Sequence, residues 1–461
     1  MSHGKCSLLN FSRTTANKMD LNIKIKNLSE IDPRALRQAT TDSSRLKEVE
    51  AVVADIINDV SKRGDAAVLE YTEKFDKVSF EANGLRVSKD EIENAFGQID
   101  GGIIKDLQIA KENIKKYHEK QVPNNWEIQT SVGVFPGLIT RPLQKVGIYV
   151  PGGKAFYPST VLMCAIPAKV AGVARVIMVT PPKPDGTIEP IVLVSAKIAG
   201  VEEIYKIGGA QAIAALGKGT KTIPKVDKIV GPGNAYVSMA KKLLQGEVLI
   251  DSPAGPSEVL IVASRKVKAK YLALDVCAQA EHDEDAVSIA LVENQDQANE
   301  LVKKIEQLIP TLGRSEIILE SLNNNGLVIV LGMKEHEQGY LDSIASTINA
   351  IAPEHLQLSL EESLVKSLIP KIQNAGAIFL GEMTPVAMGD YASGTNHVLP
   401  TNGMATRYSA LNTLDFLKII PVTRSTMDGL RLLGPIVAGI ARFEKLDAHA
   451  RSVEERIESG E

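Results

Sequence analysis

From Lys145 onward the chain alternates short apolar runs with amphipathic stretches, and this alternation constrains the fold more than any other feature. VGIYV is followed by STVLMCAIPAKVAG, VIMVT, PIVLVSAKIAG, EIYKI, GGAQAIAALG, KIV, GNAYVSMAKKLL and VLI. Strands buried on both faces read as continuous Val, Ile and Leu runs, and the amphipathic segments between them cover the sheet. The pattern therefore predicts β-α units around a parallel sheet. A second series, VLIVA, KYLALDVCAQAEH, AVSIALV, NQDQANELVKKIEQLI, GLVIVL and AIFLG, predicts a second α/β domain. Residues 27–125 are mostly helical in period and rich in Lys and Glu. From about Leu411 strand character is lost, and the chain closes in IVAGIARFEKLDAHARSVEERI, an arm with too little apolar material for its own core.

Bulk properties exclude several classes. With 44% hydrophobic and 23% charged residues over 461 positions, the chain reads as globular and long enough for real cores. The net charge of -4 is made of interspersed signs, so there is no electrostatic case for a nucleic-acid or membrane partner. A small-molecule partner is expected instead. Cys6, Cys164 and Cys277 are odd in number and far apart, which argues for a reducing compartment and against a thiolate metal cage. No apolar run reaches the ~18 residues of a membrane span. Residues 1–19 have no acidic residue but include Lys5, Arg13 and Lys18. Residues 1–21 read as a disordered lead-in to a cytoplasmic protein, with a short organellar address as the alternative.

Chemistry-bearing residues collect in a few places. In AQAEHDED, Gln279 and His282 are three apart and share a helix face, while Glu281, Asp283, Glu284 and Asp285 stand where the negative end of a helix should repel them. A cation held by Gln279 and His282 would explain the pattern, and a solvated acidic turn would as well. IAPEHLQL holds the neighbours Glu354 and His355, which should point different ways and address different atoms. GDYASGTNHVLPT holds Asp390 and His397, and FEKLDAHA holds Glu444 and His449. Glutamine, two histidines and one aspartate would make an all N/O set, for which zinc is the first choice. Glycine-rich loops at 150–159, 207–212 and 231–238 could bring backbone amides to a phosphate or dinucleotide, yet no G-x-G-x-x-G is present.

The run IDSPAGPSEVLIVASRKVKAKYLALDVCAQAEHDEDA resembles the signature of the histidinol dehydrogenase family, and YVPGG, GGAQAIAAL, GPGNAYV, APEHL and GDYASGTNHVLPT resemble its other motifs in the same order. The resemblance runs from about residue 22 to about 455. It implies two incomplete Rossmann-like domains with small terminal arms used in dimerisation. The expected bounds are an N-terminal arm at 22–45, a discontinuous catalytic domain at 46–148 and 259–411, a nucleotide domain at 149–258 and a C-terminal arm at 412–461. It implies one zinc ion per subunit on Gln279, His282, Asp390 and His449, the last arriving from the other subunit of a homodimer with shared sites. Glu354 and His355 match the catalytic pair, while Ser257, His397 and Glu444 match substrate contacts, to which the metal ligands and His355 also belong. Tyr149, Gln211 and Asn234 match NAD contacts. The implied reaction oxidises histidinol through its aldehyde to histidine with two NAD in succession. His355, with an imidazole suited to neutral pH, would take the alcohol proton, and Glu354 would activate water on the aldehyde. A paralogue acting on another polar alcohol is the rival within the class. A zinc hydrolase would share the ion, but H-E-x-x-H is absent, and a non-catalytic protein would have no need of the Glu354 and His355 pair.

Overall fold

Two parallel sheets and one antiparallel ribbon organise the chain, of which the computed structural model describes residues 21–38, 43–152, 156–252, 255–335 and 337–460. Cys6 and nearly all of the expected lead-in lie outside these residues. In chain order the strands are β1 (Lys24–Asn27), β2 (Trp126–Glu127), β3 (Val134–Pro142), β4 (Lys145–Tyr149) and β5 (Arg175–Thr180). They continue with β6 (Glu203–Lys206), β7 (Lys228–Val230), β8 (Leu249–Ile250), β9 (Glu258–Ala263) and β10 (Val287–Val292). The last are β11 (Gly326–Val330), β12 (His355–Ser359), β13 (Ala377–Leu380) and β14 (Leu417–Ser425).

The first repeating series forms a five-stranded sheet in the order β6-β5-β4-β7-β8, and the second forms a six-stranded sheet in the order β1-β11-β10-β9-β12-β13. Every pairing in both is parallel. Both sheets are covered by helices on their two faces, which is why their central strands bury nearly every side chain. Cys164 and Cys277 are buried within those layers as free thiols. Among the described residues no helix is long and apolar enough to cross a membrane.

Three features differ from the sequence-based expectation. Lys24–Asn27, expected in an N-terminal arm, pairs with β11 and forms the edge of the six-stranded sheet. The helices between Ser43 and Glu119, expected with the catalytic half, pack on the five-stranded one. Val53, Ile56 and Val60 meet Ile213 and Val237 in one core, and Ala110 and Ile114 meet Met163 and Leu193 in the other. Helical period reports that a face is buried, not which sheet buries it. The C-terminal arm also contains a nine-residue strand, β14, antiparallel to β3. Pro421 obscured it, and the structure shows why proline is tolerated there: β14 is an edge strand of the β14-β3-β2 ribbon.

Candidate active site

The expected nucleotide contacts gather at the carboxyl edge of the five-stranded sheet. Tyr149 ends β4, is buried, and its hydroxyl accepts the Gly209 N–H at 3.2 Å. Gly209 opens the Gly209–Lys218 helix at φ +63, where a Cβ would lie 2.6 Å from Gln211 Oε1. Gln211 is 1% exposed, and both of its amide atoms lack a hydrogen-bond partner. Asn234 caps the Ala235–Leu244 helix, accepting the Tyr236 and Val237 N–H groups at 3.1 Å each. The loop before it is clamped by a buried ion pair. Asp251 accepts the Gly231 N–H at 2.7 Å, and Lys241 Nζ bonds both Asp251 and, at 2.9 Å, the Gly231 carbonyl.

The expected catalytic pair lies at the opposite polarity, on the amino edge of the six-stranded sheet. Glu258 begins β9, and His355 begins β12, where it pairs in register with Val259, the residue after Glu258. The Glu258 N–H donates to Glu354 Oε2 at 2.7 Å, and its carbonyl lies 3.1 Å from His355 Nδ1. In return the Glu354 N–H and the Gly403 N–H bond the Glu258 carboxyl. Burial and the Glu354 charge push that carboxyl up to about 8, and Glu258 Oε1 is left without a partner. Sequence reasoning missed Glu258. Its one signal is an acidic residue heading the fully buried run EVLIVA.

The neighbours Glu354 and His355 address different atoms, the N–H and the carbonyl of Glu258, but do not point different ways as expected. Glu354 Oε2 is 3.5 Å from His355 Nδ1. Ala352, at φ +52, turns the chain just before β12, so the simple alternation of a strand does not apply at Glu354. His355 Nε2 lacks a hydrogen-bond partner and lies 3.6 Å from Asp390 Oδ1, too far for a hydrogen bond. Burial disfavours a charged imidazole here, but Glu354 and Asp390 outweigh it and push His355 up to about 10. An imidazole poised near neutrality is thus not what the chain alone provides.

Asp390 and His397 are held in one loop. His397 Nδ1 bonds the Asp390 carbonyl at 2.9 Å, and Thr160 Oγ1 lies 3.4 Å from His397 Nε2. Burial alone would raise Asp390, but the His355, His397 and His282 imidazoles hold it below the usual carboxylate range. Burial also depresses His397, with Asp390 opposing. Asn396, one residue earlier, donates to the Met163 carbonyl at 2.7 Å. That carbonyl is free because Pro167, four residues on in the Pro158–Val170 helix, has no N–H to give it. A proline beside the five-stranded sheet thereby anchors the loop that holds Asp390 and His397. Ser257 directly precedes Glu258 and is half-buried.

Gln279 is buried near the end of the Ala269–Ala280 helix, its Nε2 without a partner, and His282 is exposed just beyond it. Of the four acidic residues there, Asp283 accepts the Asp285 N–H at 3.2 Å and shapes the turn, while Asp283 and Asp285 are exposed. Carboxamide oxygen, imidazole and carboxylate from Gln279, His282 and Asp390 are a donor set that suits a divalent ion, whereas the unpartnered Gln279 Nε2 is a hydrogen-bond donor that a cation would leave unmet. Among the described residues, however, no group of three or more His, Cys, Asp or Glu side chains is arranged to hold a metal. Within one chain His449 therefore does not join His282 and Asp390. It lies exposed on the Asp447–Glu458 helix, and Glu444 is exposed at the end of the Met427–Phe443 helix that packs beside it.

Comparison with known proteins places the chain in a family. The sequence model of the family described as histidinol dehydrogenase matches residues 39–457. The histidinol dehydrogenase of Methanothermobacter thermautotrophicus is 45% identical over 432 residues, 93% of this chain and 99% of that protein. That of Geobacter sulfurreducens is 45% identical over 412 residues, 89% and 94% of the two chains. The crystal structure of histidinol dehydrogenase from Elizabethkingia anophelis superimposes with a TM-score of 0.88 at 38% identity, covering 95% of this chain and 98% of that one. With most of its length matched by the family model and by relatives well above 30% identity, the chain belongs to the histidinol dehydrogenase family.

Proposed function

We propose that this dehydrogenase oxidises histidinol through the aldehyde to histidine at the Glu354, His355 and Asp390 cluster, using zinc and NAD. The observation that carries the reading is the Glu258 peptide, whose N–H and carbonyl orient Glu354 and His355 side by side. With Nδ1 on that carbonyl, His355 Nε2 is the ring nitrogen turned away from the backbone, and once a bound cation offsets the carboxylates that favour its charged form it accepts the proton of the substrate alcohol as the first hydride leaves. Glu354 then removes a proton from water that adds to the aldehyde, giving a hydrate able to release the second hydride. His397 and Ser257, with Glu444 from the arm, contact the substrate. NAD, held by Tyr149, Gln211 and Asn234, supplies the hydride acceptor in both steps. Zinc on Gln279, His282, Asp390 and the partner subunit's His449 would position the substrate's imidazole and amine and offset the pull of Asp390 on His355.

A homodimer with shared sites follows from the separation of His449 from its expected co-ligands and from the surface of the arm. Leu432, Ile436, Ile440 and Phe443 form a stripe that is 51%, 56%, 57% and 90% exposed. The buried free thiols support a reducing compartment such as the cytoplasm. The test is turnover of histidinol with NAD, before and after a chelator. Two reduced NAD per histidine formed, lost on chelation and restored by zinc, is the expected result. A chain that produces no reduced NAD from histidinol, or is indifferent to metal removal, would refute it.

A further inference from the structure

Asp76 is the last residue of the Asp65–Asp76 helix, where its charge meets the negative end of the helix dipole, so local structure gives it no reason to be acidic. Lys77 behind it turns the chain away at φ +61. The Gly208 N–H donates to the Asp76 carboxyl, while Oδ2 is buried and without a partner among the described residues. The Asp76 charge is also felt at the Tyr149 hydroxyl, which itself bonds Gly209. Two residues further on, Gln211 offers two more orphaned buried atoms. One carboxylate oxygen, one amide oxygen and one amide nitrogen thus wait around the start of a single helix.

Their place in the sheet says what they wait for. A Cβ on Gly208 would lie 2.6 Å from Pro181, so Asp76 stands where β5 and β6 end. In a sheet of order β6-β5-β4-β7-β8, a nucleotide's adenosine half lies over the β5 side of the central strand. The usual dinucleotide domain places an acidic residue on that side to accept from the ribose 2′-hydroxyl. Here β5 runs into Thr180, Pro181, Pro182 and Lys183, with no acid among them. We infer that Asp76, delivered from a helix that precedes the whole sheet in sequence, takes that role. It accepts from the 2′-hydroxyl of the adenosine ribose and excludes the 2′-phosphate of NADP. The inference rests on the reading that this sheet binds NAD, and it adds the residue that selects between the two nucleotides.

Calorimetric titration of NAD and NADP into the full-length protein tests it, alongside KM and kcat for each nucleotide. Asp76→Asn keeps an oxygen for the Gly208 N–H, so its melting midpoint should match the parent. Its preference for NAD over NADP should narrow by about tenfold or more, the scale of a hydrogen bond to a charged group. Asp76→Ala should lose NAD affinity by a similar factor with kcat at saturating NAD retained. Gln211→Ala, as a control, should weaken both nucleotides together. A parent that binds NAD while both Asp76 variants keep its NAD to NADP ratio overturns the role given to Asp76. A parent that binds neither nucleotide overturns the cofactor reading itself, and the inference with it.

Discussion

Glu258 contributes to the site mainly through its backbone. Its peptide groups aim Glu354 and His355, while its own carboxyl is buried between the Glu354 and Gly403 amides and is pushed up to about 8 by burial and by Glu354. The folded chain therefore keeps a proton that the unfolded chain releases. Relative to a group that does not titrate, Glu258 costs nothing below its ordinary value of 4.5, costs more as pH rises toward 8, and no more above that. Glu258→Gln should accordingly raise the melting midpoint by several degrees above pH 8 and hardly at all near pH 4.5. Melting curves across that range decide it, and a pH-independent difference would show that the carboxyl is ionised throughout. The candidate residues themselves are legible in the sequence because long motifs carry them. The contact between Glu354 and His355 is not, since it depends on the left-handed turn at Ala352.

At the scale of elements, one helix proline and one loop asparagine form a unit. Pro167 leaves the Met163 carbonyl without its helical partner, and the 4% exposed Asn396 supplies one beside His397. Asn396→Ala should cost about 1–3 kcal/mol, the price of an unsatisfied buried carbonyl. In a Pro167→Ala background the helix recovers its own N–H donor, so the same change should cost less. Denaturant unfolding of the two single variants and the double variant measures the coupling, and strict additivity would mean that the two residues act separately. Most strands are legible because burial on both faces leaves continuous Val and Ile runs. β12 is hidden because it begins on the polar His355 and carries a buried Gln357, which donates to Asp275 at 2.6 Å. β14 is hidden because it lies almost wholly exposed on an edge and includes a proline.

Across the whole molecule, the loop of Asp390 and His397 meets the helix after β4 through Thr160 and the Met163 carbonyl. The C-terminal helices have only Ala438, Ala441 and Ala450 as a buried apolar cluster of their own and expose the stripe from Leu432 to Phe443. A second copy is the expected cover, with the partner subunit's His449 completing the metal set. Co-refolding equal amounts of His282→Ala and His449→Ala chains, each inactive alone, should restore roughly a quarter of the parent activity. About half of randomly paired dimers are mixed, and each mixed dimer has one intact site. Mixed dimers confirmed by mass but inactive would place His449 in its own chain's site.

The exposed position of His449 on the arm also has a consequence for dosage. When each chain lends its histidine to a neighbour, a site works or fails according to the donor alone. In a mixed population of parent and His449→Ala chains, the working fraction of sites therefore equals the parent fraction, whatever the pairing. A defective donor silences one site and leaves the other untouched, so the loss is linear in dose and never dominant.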